Sequence, residues 1–212
     1  MKKLVLASKS PRRRELLAGL GVPFSVIPSK VSETITDANP ATLVEELARH
    51  KAESVACEVL LDQQALVIGA DTIVVLDGII LGKPKDEADA ASMLQCLSGR
   101  WHQVFTGVAV TQPGSGCSLS CHEVTAVKFR SLSAEEIAAY VATKEPLDKA
   151  GAYGIQGKGA LLVERIDGCY FNVVGLPLVK LAGLLAHFGV DLLLGERGIG
   201  HEVPPDNKRA AP

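Results

Sequence analysis

Residues 65–81 read Ala65-Leu66-Val67-Ile68-Gly69-Ala70-Asp71-Thr72-Ile73-Val74-Val75-Leu76-Asp77-Gly78-Ile79-Ile80-Leu81. Ala65 to Ala70 is almost wholly apolar, the pattern of a strand buried on both faces. The run continues through Asp71 into Thr72 to Leu76. Asp77-Gly78 then signals a tight turn into Ile79 to Leu81, which is an antiparallel return. Hairpin signals disfavour a purely parallel, doubly wound sheet. The expected class is α/β with a mixed β-sheet and flanking helices.

Upstream, Lys3 to Ala7 reads as a short buried strand. Ser10-Pro11 places a hydroxyl at an N-cap and proline at the first helical position, so a helix should run from Pro11 to about Leu20. Phe24 to Ile27 reads as a strand, and Ser29 to Asn39 as a polar loop containing Glu33. Asn39-Pro40 repeats the cap signature and opens the longest amphipathic run, with Leu43, Leu47, Ala48, Val55 and Val59 near helical spacing.

Downstream, Asp86 caps a helix carrying Ala90, Met93, Leu94 and Leu97, which Gly99 can end in a left-handed conformation. Trp101 to Thr111 and Leu119 to Phe129 flank Pro113-Gly114-Ser115-Gly116, a hairpin with an exposed tip. Ser133 and Glu136 form a capping-box pattern ahead of Ile137 to Val141. Leu161 to Ile166 and Tyr170 to Val174 read as strands about Asp167-Gly168, and Pro177 starts a closing helix through Phe188. One domain is expected over residues 1–194, with 195–212 as a mobile tail.

A chain of 212 residues with 47% apolar composition has ample material for a core, which excludes a disordered or fibrous class. With 22 Lys+Arg against 24 Asp+Glu the formal charge is only -2. No global basic field exists to drive nucleic-acid binding, and aromatics at 4% leave few stacking platforms, so any anion site must be local. The stretch Leu4 to Ala7 is too short for a signal-peptide core, and no run approaches the roughly eighteen apolar residues of a spanning helix. Five scattered cysteines suit reduced thiols. The expectation is a soluble, cytoplasmic protein with no membrane and no nucleic-acid partner. Cys117, Cys121 and His122 are loosely spaced for zinc and lack an evident fourth ligand.

Four stretches carry chemistry. In Ser8-Lys9-Ser10-Pro11-Arg12-Arg13-Arg14, free amides at a helix start meet hydroxyls and guanidinium forks suited to phosphate oxygens. A capped helix with solvated arginines is the bland alternative. Asp71 is an ionisable residue inside an apolar strand, which is costly unless a lysine or a metal ion lies nearby. A strand-end Asp bonded to backbone is the other reading. Gly82-Lys83-Pro84 is not a P-loop, because the spacing is short and no Ser or Thr follows, but Lys83 can reach phosphate as a point charge. The segment from Asp148 to Gly157 offers small residues, Lys149 for charge and Gln156 for reading a base edge, although a structural glycine turn fits its composition equally. Lys51 and Glu33 stand out less, as a helix face and a polar loop.

Taken together, Ser8 to Arg13, Gly69-Ala70-Asp71-Thr72, Gly82-Lys83-Pro84 and Asp148 to Gln156 resemble the Maf family of nucleoside triphosphate pyrophosphatases, nearest its dTTP/UTP branch. The resemblance implies hydrolysis between the α and β phosphorus with a divalent cation, magnesium or manganese. It also implies a mixed sheet bent into two lobes around a nucleotide cleft, akin to inosine triphosphatases, commonly as a homodimer. Asp71 matches the family's proton acceptor. Arg12, Thr72 and Gln156 match positions that matter for substrate choice, and Ser8, Arg13, Glu33, Lys51 and Lys83 match the phosphate and metal cleft. In the mechanism expected from these residues, the helix amides with Arg12 and Arg13 hold the triphosphate. Lys51 and Lys83 offset charge on the departing pyrophosphate, and a metal near Glu33 and Asp71 activates water. The family has also been linked to arrest of cell division and septum formation, so a nucleotide-binding regulator with little turnover is the alternative.

Overall fold

The computed structural model describes residues 2–31, 39–60, 62 and 64–196. Its main sheet follows the order β2-β1-β3-β5-β6-β7, with β4 attached to β3. The strands are β1 (Lys3–Leu6), β2 (Phe24–Val26), β3 (Ala65–Leu76), β4 (Ile79–Leu81), β5 (Trp101–Thr111), β6 (Ser118–Phe129) and β7 (Val163–Asp167). β1 pairs in parallel with both β2 and β3, whereas every later pairing is antiparallel, so the sheet is mixed as residues 65–81 predict. Asp77 and Gly78 both take positive φ, 50° and 80°, the conformation a two-residue hairpin turn demands.

The helices are α1 (Pro11–Ala18), α2 (Pro40–Glu58), α3 (Glu87–Leu97), α4 (Ala134–Ala142), α5 (Tyr170–Val174) and α6 (Leu178–His187). On one face of the sheet, Leu66, Ile68, Ala70, Val108 and Val110 pack with Leu17 of α1 and Leu181, Leu184 and Leu185 of α6. Further along the same face, Val74, Leu76, Val104, Val127 and Phe129 pack with α3 and α4. Thr72 and Thr106, directly paired across β3 and β5, separate these two apolar clusters. α2 covers the opposite face, with Ala48, Ala52 and Val55 over Ala65 and Val67, and Leu43, Val44 and Leu47 over Ile73 and Val75.

Three parts differ from the sequence expectation. Tyr170–Val174 is a helix, not a strand. Its short apolar run favours extension, but the Asn172 side chain bonds to Val104 O and Thr125 Oγ1, both at 2.9 Å, and Gly175 at φ 117° ends the turn. These tertiary bonds outweigh local propensity. The strand expected from Leu161 starts at Val163, because Gly157–Leu162 coils into a 3₁₀ turn. Gly195–Glu196 pairs with Val190–Asp191 as a small separate hairpin of β8 (Val190–Asp191) and β9 (Gly195–Glu196), and residues 197–212 of the expected tail lie outside the described residues. Among the described residues no helix is long and apolar enough to cross a membrane.

Candidate active site

β3 has one continuous neighbour and one interrupted neighbour. β5 lines residues 67–75 on one edge; on the other, β1 pairs with 65–68 and β4 with 74–76. Residues 69–73 therefore have no strand beside them on that edge among the described residues. Asp71 and Thr72 point to opposite faces by strand alternation, yet both line one cleft of about 440 Å³ that opens at this gap.

Asp71 is 5% exposed, and α2 supplies its counter-charge: Lys51 Nζ lies 2.5 Å from Asp71 Oδ1. Two glycines make that approach possible. A Cβ at Gly69 would sit 2.1 Å from Ala48 O, and one at Gly107, the cross-strand partner of Asp71, would sit 2.0 Å from Val44 O. The helix backbone thus lies directly on the sheet, and Lys51 is drawn down to the carboxylate. Lys51 acts first as the partner of a buried acid, which removes the desolvation problem that Asp71 poses in the sequence.

The loop between β1 and α1 forms the second wall. Ser10 caps α1, its Oγ accepting from Arg13 N at 3.4 Å, and Pro11 occupies the first turn. Arg13 is tied to protein acceptors: Nε donates to Gly175 O at 2.7 Å, Nη1 to Ala70 O at 2.9 Å and Ser8 Oγ at 3.4 Å, and Nη2 to Thr72 Oγ1 at 3.0 Å. It closes the Ala70 carbonyl on the open edge of β3. Arg12 has one long ion pair, 3.7 Å from Asp148 Oδ2.

The third wall is the segment 145–162, built as three 3₁₀ turns, Glu145–Asp148, Ala150–Ala152 and Gly157–Leu162. Glu145 organises it, accepting from Tyr140 Oη at 3.0 Å and from the amides of Lys158 and Gly159, each at 3.2 Å. Lys149 donates to Glu145 O and, at 2.7 Å, to Asp148 Oδ1. Gly151 N donates to Gly82 O at 3.0 Å, which locks this segment to the Lys83 loop. Behind it, His102 Nε2 and Tyr153 Oη are 2.7 Å apart in a buried aromatic cluster with Phe129. Burial pushes the His102 pKa down to about 4, so the ring is neutral.

Ser8, Arg12, Arg13, Lys51, Asp71, Thr72, Lys83, Lys149 and Gln156 all line this cleft. Glu33 lies outside the described residues. Sequence reading missed Asp148 as a brace for two cations, Glu145 as an organiser, and Ser29, which also lines the cleft. A lone loop serine gives no signal; Asp148 and Glu145 carry one only through partners that the fold supplies. Among the described residues no group of three His, Cys, Asp or Glu side chains could hold a metal ion. His122 pairs with Glu45 at 2.5 Å instead.

Among the described residues, Lys9, Arg12, Arg13, Lys51, Lys83 and Lys149 line the cleft together with Asp71 and Asp148, six cations and two carboxylates. With a capped helix start, that excess of four positive charges defines an α/β protein built around a polyanion cleft. The chain belongs to the Maf family: the family profile described as Maf-like protein matches residues 3–188. A dTTP/UTP pyrophosphatase from Moorella thermoacetica is 60% identical over 91% of this chain and 98% of its own length. Proteins of the same name from Acetivibrio thermocellus and Alkaliphilus metalliredigens are 52% and 51% identical, each over 91% of this chain and over 98% and 100% of their own lengths. The solved Staphylococcus aureus Ham1 protein aligns with 60% of this chain and 72% of its own at 19% identity, with a TM-score of 0.44, a likeness too loose to bear on the site.

Proposed function

We propose that this protein hydrolyses dTTP and UTP to the nucleoside monophosphate and pyrophosphate. The observation that carries the reading is a cleft in which, among the described residues, Lys9, Arg12, Arg13, Lys83 and Lys149 accompany a buried Asp71–Lys51 pair. The α1 amides and Arg12 hold the triphosphate, and Arg13 braces the wall they sit on. A water oxygen bonds to the α phosphorus while its proton passes to Asp71. The bond from that phosphorus to the α–β bridging oxygen breaks, and its electron pair leaves with pyrophosphate. Lys83 and Lys149 offset the charge that builds on the leaving group.

The donor chemistry of the cleft fits a divalent cation such as magnesium or manganese. Magnesium is commonly held by one or two carboxylates together with substrate phosphates, and the cleft presents Asp71, with Glu33 as the second carboxylate that the resemblance implies. When bound, the cation would neutralise phosphate charge and lower the pKa of water. Homodimer assembly and a cytoplasmic location belong to the same proposal, and light scattering of the full chain at twice its monomer mass tests the first.

A triphosphate panel with product analysis, with and without magnesium, tests the reaction. Equal yields of monophosphate and pyrophosphate from dTTP and UTP are expected. Release of orthophosphate with a diphosphate product overturns the assignment of the bond. Tight binding without turnover makes the protein a nucleotide-binding regulator instead.

A further inference from the structure

Asp71 on β3, Gly107 on β5 and His122 on β6 stand directly opposite one another, one row across three strands. Residues paired in this way present their side chains to the same face, and α2 touches both ends of the row. Lys51 Nζ lies 2.5 Å from Asp71 Oδ1, and Glu45 Oε1 lies 2.5 Å from His122 Nδ1. A carboxylate only accepts, so the His122 ring donates through Nδ1. The middle of the row has no side chain: a Cβ at Gly107 would sit 2.0 Å from Val44 O and 2.7 Å from Glu45 N. Ala48, fully buried with its carbonyl over Gly69, is three residues from Glu45 and three from Lys51. At 3.6 residues per turn, those steps set Glu45 and Lys51 about 60° to either side of Ala48. The helix therefore rests on backbone along its midline and reaches down on both flanks, with a cation to Asp71 and with an acid to His122.

We infer that Glu45 and His122 are positioning residues for the Asp71–Lys51 pair: they fix the roll of α2 about its own axis where it crosses the sheet. Packed elements are ordinarily located by side-chain ridges seated in grooves. Gly69 and Gly107 remove those ridges at the crossing, and the helix sits there on a smooth support. Leu43, Val44 and Leu47 seat one end of α2 and Ala52 and Val55 the other, so apolar packing holds its tilt while the two flanking contacts hold its roll. When the Glu45 flank is released, the helix is free to turn and Lys51 leaves its place on Asp71. Neither Glu45 nor His122 lines the cleft, so the effect passes through Lys51 and not through substrate contacts. The pair is partly exposed, with side chains at 29% and 36%, and a contact of that kind biases an equilibrium by up to about fivefold. The inference rests on the pyrophosphatase reading for the step it tunes, proton transfer to Asp71.

The test measures kcat and KM for UTP with magnesium, beside the carboxyl-carbon NMR resonance of Asp71 in the isotope-labelled full chain. The variants are Glu45→Ala, His122→Ala, the two combined, and Glu45→Gln. Each alanine variant should lower kcat about two- to fivefold with KM unchanged and should shift the Asp71 resonance. The combined variant should go no further than either single one, because both remove the same contact. Glu45→Gln keeps an oxygen for the ring to bond and should return both readouts to their wild-type values. Should one alanine variant not fold, the other and Glu45→Gln still decide the matter. Additive losses in the combined variant, a loss confined to KM, or an Asp71 resonance that does not move overturns the inference. So does a fall in kcat that Glu45→Gln fails to recover. Turnover of UTP that neither alanine variant changes overturns this inference alone. If the wild type leaves every triphosphate intact, the enzymatic reading falls, and the Asp71 resonance by itself decides whether Glu45 and His122 hold Lys51 in place.

Discussion

Lys51 on α2 and Asp71 on β3 form a buried ion pair, 2.5 Å between Nζ and Oδ1, with side chains only 9% and 7% exposed. Removing one partner of such a pair leaves an uncompensated charge, at up to about 3–5 kcal/mol, lowered wherever cleft water reaches the carboxylate. Lys51→Met should therefore lower the unfolding free energy by a large fraction of that amount. Asp71→Asn keeps an oxygen for Lys51 to donate to and should fold, but it removes the proton acceptor and should reduce kcat by about 10²–10⁴-fold. Denaturant melts beside kcat separate the two effects, and near-normal turnover in Asp71→Asn would remove that residue from the chemical step.

The glycines that let α2 down onto the sheet carry their own prediction. In Gly69→Ala the new Cβ meets Ala48 O and Ala52 N, at 2.1 and 2.8 Å, and both are backbone atoms that cannot swing aside. Overpacking of this kind costs about 1–3 kcal/mol or more. Because the relief is for α2 to lift, Lys51 should separate from Asp71, so stability and kcat fall together. A melt that drops while kcat stays unchanged would break the link between helix height and the ion pair.

Much of this geometry is legible in the sequence, and the parts that are not share one cause. Residues 65–81 show both the mixed sheet and its hairpin, because burial on two faces and an Asp-Gly turn are local patterns. Asp71 and Arg12 stand out because a carboxylate in an apolar strand and a guanidinium at a helix start are locally anomalous. Arg13 looks equivalent to Arg12, yet its acceptors at Ala70 O and Gly175 O are backbone atoms distant in the chain, and a backbone carbonyl has no sequence signature. Thr106 and Asn172 are hidden for the same reason. Threonine is an ordinary strand residue, and the bonds that make Tyr170–Val174 a helix reach across to Val104 and Thr125.

His102 makes acid stability a readout of the wall that carries Tyr153. Burial holds its folded pKa near 4, below the ordinary value of about 6.5, so the unfolded chain binds more protons between those two limits. Stability is accordingly full above about pH 6.5 and falls as pH drops toward 4, by roughly 3 kcal/mol in total for this one group. Replacing it by a non-titrating residue that can still bond Tyr153, His102→Gln, should flatten the decline over this window. Urea midpoints across pH 4–7 for the two proteins check it, and parallel curves would mean that other groups govern the acid limb.

Asp148 sits between two cations that the triphosphate would use. It accepts from Lys149 Nζ at 2.7 Å and lies 3.7 Å from Arg12 Nη1, with 66% of its side chain exposed. Partial burial pushes its carboxyl up, but the Lys149 bond and the charges of Lys149 and Arg12 outweigh this, and the net shift is downward. The carboxylate therefore competes with incoming phosphate oxygens for the same donors. Exposed pairs of this kind are worth about 0.2–1 kcal/mol, a factor of up to about five in an equilibrium constant. Asp148→Asn should lower the Kd for UTP by up to that factor at low salt, and by less as salt screens the wild-type pair. Lys149 keeps its bond to Glu145 O in the variant, so the wall itself should hold. Weaker binding of UTP by Asp148→Asn would reverse the reading: the acid would then be aiming Arg12 and Lys149 at the substrate, and its loss would misplace them.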